Sequence, residues 1–97
     1  MVKHSFLGEM TPDVWLVLRA TLVEADMAPG GWFSAADVAR VLSLTQVTEH
    51  GIRDLFATLV QNQWMTGPVE TPVGRENVRL YQLTPAGIER IRALFLQ

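Results

Sequence analysis

The sequence predicts an α+β fold with a three-helix core, a two-stranded wing and a C-terminal helix. Three observations carry that prediction. First, Ser34-Ala35-Ala36-Asp37 reads as a capped helix start, and after a short turn a second helical run extends from Thr48 to about Asn62. Second, an aromatic strand begins at Trp64. A Pro/Gly-rich stretch with Gly74-Arg75 at its tip follows, and a second strand closes on Leu80-Tyr81-Gln82-Leu83. Third, apolar helices opened by Thr11-Pro12 and Thr84-Pro85 flank these elements. Helix, turn, helix and hairpin in that order is the layout of a winged helix-turn-helix. That layout serves mainly to put one helix in a DNA groove and a hairpin against the backbone.

Each element has a local cause. Thr11 caps the first helix, Pro12 suits a first turn that needs no N–H, and Asp13 complements the helix dipole. The helix should run to about Asp26 and stop before Pro29-Gly30-Gly31. Val14, Trp15, Leu18 and Leu22 form one stripe, which Leu16, Val17 and Val23 widen beyond what one small core needs. Trp32-Phe33 reads as a very short strand. In the second helix Val38, Val41 and Leu42 form the buried face, with Leu44 and Val47 anchoring the turn beneath. Thr48 caps the third helix, and Ile52, Leu55, Phe56, Leu59 and Val60 repeat at helical spacing. Its opposite face carries His50, Arg53, Asp54, Ala57, Thr58 and Gln61. Asn62 tolerates the left-handed conformation that a helix end needs. Trp64-Met65-Thr66 should pair antiparallel with Val78 to Leu83. The last helix carries Ile88, Ile91, Leu94, Phe95 and Leu96. Trp15, Trp32 and Trp64 sit beside apolar neighbours, which reads as core packing rather than a stacking platform.

Composition narrows the function classes. The 97 residues make one domain, 1–97, with residues 1–10 as a short N-terminal arm. A chain that is 48% hydrophobic and 19% charged is globular. The absence of cysteine excludes disulfides, cysteine-ligated zinc and a thiol nucleophile, and fits a cytoplasmic location. No apolar run approaches the roughly 20 residues of a membrane span, so no membrane partner is expected, and no signal peptide is visible. The two histidines, His4 and His50, are far apart, and there is no P-loop, nucleotide-binding glycine fingerprint or nucleophile elbow. Neither an enzyme nor a cofactor nor a metal site is expected. The net charge of −2 counts against nucleic acid, but seven of the eight basic residues are arginine, and their placement decides.

The candidate DNA contacts are Gln46, Thr48, Glu49, His50, Arg53 and Thr58, in and before the third helix, and Arg75 and Arg79 in the hairpin. An arginine on an exposed helix face makes bidentate bonds to guanine or contacts a phosphate; the plainer reading of Arg53 is a pair with Glu49 or Asp54. Arg75, beside Gly74 at the tip, suits a phosphate or the minor groove. Arg79 shares strand parity with Tyr81 and Leu83, so it also fits a position along core-facing side chains. Thr48 reads as a cap and His50 as an exposed helical histidine.

The segment Arg75-Glu76-Asn77-Val78-Arg79-Leu80-Tyr81-Gln82-Leu83-Thr84-Pro85-Ala86-Gly87 resembles the wing and wing exit of the MarR and PadR families of bacterial transcription regulators. Those families often show an arginine at the wing tip and an aromatic-x-Leu-Thr-x-x-Gly run entering a helix; Tyr81, Leu83, Thr84 and Gly87 match that run. The likeness extends back to Ser34, about two-thirds of the chain. It implies a dimeric regulator of double-stranded DNA whose third helix reads the major groove, with Arg53 on that helix and Arg75 at the wing tip.

The surplus apolar surface implies a homodimer independently, with an interface from Trp15, Val17, Ile91, Leu94, Phe95 and Leu96, joined by the Phe6-Leu7 arm. The alternative function is a winged-helix module that binds protein through those same helices, as an adaptor or anti-regulator. The acidic balance favours the module, and the Gly74-Arg75 wing opposes it.

Overall fold

Each described α-helix begins at a threonine or serine whose hydroxyl accepts a backbone N–H three residues on. The structure is a computed structural model that describes residues 11–96; the arm at residues 1–10, with Phe6 and Leu7, lies outside the described residues. Thr11 caps α1 (Pro12–Met27), Ser34 caps α2 (Ala35–Val41), Thr48 caps α3 (Glu49–Gln61) and Thr84 caps α4 (Pro85–Phe95). At α2 the cap is reciprocal: the Ser34 hydroxyl accepts from Asp37 N at 3.1 Å, and Ser34 N donates to the Asp37 carboxylate at 2.9 Å.

The strands are β1 (Trp32–Phe33), β2 (Met65–Val73) and β3 (Glu76–Leu83), in one antiparallel sheet of order β1-β3-β2. β2 begins at Met65, one residue after the expected Trp64, and runs well past Thr66 to Val73. The Pro/Gly-rich stretch is itself strand, because β2 is an edge whose outer N–H groups need no partner, so Pro68 and Pro72 are tolerated. The register slips by one residue between Thr66 and Val69, a bulge that takes up Gly67-Pro68. Val73 pairs with Glu76, leaving Gly74-Arg75 as a two-residue turn with Gly74 at φ 63°.

The core forms where α1, α2 and α3 meet the base of the sheet and α4. Leu18, Phe33, Val38, Ile52, Phe56, Leu59 and Ile91 are fully buried, each worth about 1.5–3 kcal/mol of apolar transfer. Phe56 sits between Phe33 and Tyr81 in edge-to-face contacts at 5.8 and 4.9 Å. Trp15 meets Phe95 edge-on at 5.0 Å, joining α1 to α4.

Several expected positions differ. Val41 is half exposed and Leu44 fully exposed, because α2 ends at Val41 and the turn projects away from the core. The left-handed residue after α3 is Gln63 (φ 64°), one position beyond Asn62. Val17 and Ile91, expected in a dimer interface, are buried within the chain's own core. The apolar residues of α1 divide between two faces: Val17 and Leu18 turn inward, while Leu16 and Val23 stay about two-fifths exposed.

Candidate nucleic-acid interface

A groove of about 480 Å³ separates α3 from the wing. The start of α2 floors one end, Glu49 and Arg53 line the helix side, and Glu76, Asn77 and Arg79 line the strand side. Two features of the fold open it. β1 is only two residues long and covers β3 at Tyr81 and Gln82 alone, so β3 leaves the sheet's cover beyond that point. The apolar face of α3, Ile52, Phe56 and Leu59, then fixes its rotation and turns Arg53 toward the wing.

Within the groove the charges are mixed. Arg53 donates to the Glu49 carboxylate across one helical turn. Arg79 makes no ion pair with any described residue, although Glu70 is its cross-strand neighbour. Its side chain is exposed, so of the two positions that strand parity allowed it takes the open one. Arg75 is exposed at the turn, likewise without an ion pair among the described residues.

The remaining candidates lie elsewhere. Gln46 and Thr48 border a smaller depression beside Asp13 and the start of α1, and the Thr48 hydroxyl is engaged as the α3 cap, accepting Gly51 N at 3.0 Å. His50 is exposed on the outward face of α3 with its Nε2 3.6 Å from Asp54. Thr58 donates back to the Asp54 carbonyl at 3.3 Å. The groove thus unites Glu49, Arg53 and Arg79 from the candidate set, and Asn77 joins them without having been singled out. Its signal was available: two residues from Arg79 along β3, it lies on the same strand face.

At the start of α2, burial pushes the Asp37 carboxyl up, but the Ser34 backbone and side-chain hydrogen bonds and the Arg40 guanidinium outweigh it and hold the group below 3.8. Arg40 reaches Asp37 at 3.0 Å, so this α2 cation is also paired within its own helix. Among the described residues, no three His, Cys, Asp or Glu side chains gather as metal ligands. No described helix is long and apolar enough to cross a membrane. The chain matches no protein-family model, and no curated protein matches it.

Proposed function

We propose that this protein is a sequence-specific regulator that binds double-stranded DNA as a homodimer. The observation that carries the reading is the groove in which Arg53 of α3 and Arg79 of the wing face a common space, with Arg75 at the adjoining turn. A phosphodiester backbone entering that space meets guanidinium groups from both sides, while the outward face of α3, with His50, Ala57 and Gln61, is exposed toward base edges. Pairing through α1 and α4 would supply a second half-site.

A second reading, a protein-binding module, is favoured by one specific observation. The charges of α3 are largely spent on each other: Glu49 holds Arg53, and Asp54 faces His50. A helix of that kind attracts phosphate weakly.

Opposed substitutions separate the two. In a mobility-shift titration at low salt, Arg79→Ala removes a phosphate contact and weakens binding roughly fivefold or more. Glu49→Gln removes a carboxylate from the groove, frees Arg53 and strengthens binding. Both positions are exposed or half-exposed, so folding is little affected. Wild-type protein that binds no DNA at low salt overturns the regulator and leaves the module.

A further inference from the structure

The outer face of α1 carries a pattern that the core does not use. Leu16, Arg19, Val23 and Asp26 are spaced three, four and three residues apart, which keeps them on one stripe of the helix. All four are exposed, and Met27 beside them is 73% exposed. The opposite side of the same helix, Val17, Leu18, Ala20 and Thr21, is fully committed to the core. Next to the stripe, Leu22 and Val23 and the α4 residues Phe95 and Leu96 line an apolar cleft of about 430 Å³, bordered by Arg19 and Arg92. Leu96 is 86% exposed there.

The charges on this stripe select an occupant. A second copy of α1 laid parallel would bring Arg19 against Arg19 and Asp26 against Asp26 of the other chain, which is repulsive. Laid antiparallel about a two-fold axis near Leu22 and Val23, it brings Arg19 of each chain to Asp26 of the other, with Val23 between the two pairs and Leu16 beyond them. Arg92 borders the same cleft and offers an incoming carboxylate a second cation. Neither Arg19 nor Asp26 nor Arg92 has an ion-pair partner among the described residues. The helix is 16 residues long, about 24 Å, enough for the pairing to repeat on both sides of the axis.

We infer that two copies of this chain associate through an antiparallel α1–α1 contact, in which reciprocal Arg19–Asp26 pairs set the orientation and the α1–α4 cleft receives the partner's apolar side chains. This rests on the homodimer of the proposed function and gives it a surface and a direction. Its test uses no DNA, so it can fail while DNA binding stands, and the reverse.

The test is a charge exchange read by sedimentation equilibrium at micromolar concentration. Arg19→Asp and Asp26→Arg each place like charges across the axis, and each weakens self-association about tenfold or more. Mixed in equal amounts, these two variants form a heterodimer, because every crossed pair is then opposite in sign. The double variant associates with itself again. Far-UV circular dichroism spectra of the single variants serve as the fold check; the side chains are exposed, so the spectra stay like wild type. A wild-type monomer overturns the inference, as do single variants that associate like wild type or a mixture that stays monomeric.

Discussion

Gly87 shows how much one residue decides here. A Cβ at this position would lie 2.0 Å from the Trp64 carbonyl oxygen and 2.7 Å from its carbon, both backbone atoms that cannot swing aside. The close approach lets Thr84 act in two directions. Its hydroxyl accepts Gly87 N at 2.9 Å as the α4 cap and donates to the Gln63 carbonyl at 2.9 Å, tying α4 to the end of α3. Gly87→Ala therefore forces α4 away from the Trp64 backbone and costs more than about 3 kcal/mol, read as a lowered denaturant midpoint or loss of folded protein. An exposed control, Ala86→Gly, falls within the roughly 1 kcal/mol of helix propensity.

At the scale of the element, α2 is the piece whose stability depends on pH. It is seven residues long, too short to persist by itself, and is held by the Ser34–Asp37 box and the burial of Val38. The Asp37 carboxyl is held below 3.8, its ordinary value. A depressed carboxyl contributes stability that is present above the unfolded pKa and lost as pH falls through the lower folded one. Asp37→Ala should cost about 1 kcal/mol near neutral pH. The gap between variant and wild type should close as the pH drops through and below 3.8. Thermal melts from neutral to strongly acid pH check this; a gap that widens in acid would mean that Asp37 does not act through its charge. The wing is the other informative element. Its Gly74-Arg75 tip was legible from the turn dipeptide, but its length was not. Pro68 and Pro72 read as breakers in a sequence, whereas on an edge strand with a bulge they are compatible with pairing.

For the molecule as a whole, electrostatics limits what the proposed DNA binding would look like. The net charge is −2, and two of the arginines, Arg40 on α2 and Arg53 on α3, are held by carboxylates of their own helices. A pair of chains with roughly four to six phosphate contacts gives a log–log salt slope of about −4 to −5. Titrations from low to moderate salt measure it. A slope near −10 would reveal a cationic footprint well beyond Arg53, Arg75 and Arg79.

Element order, the four Ser/Thr caps, the Gly74-Arg75 turn and core positions such as Ile52, Phe56 and Leu59 were determined by the sequence itself. Caps, turn residues and helical spacing act over three or four residues and leave their mark locally. The tertiary structure alone decided that Arg53 and Arg79 share a groove, since that depends on how a two-residue β1 leaves β3 uncovered. It also decided that Val17 and Ile91 belong to the core while Leu16 and Val23 face outward. A helix apolar on both sides has no preferred inward face until its neighbours are in place, and spacing along the chain does not record which neighbours those are.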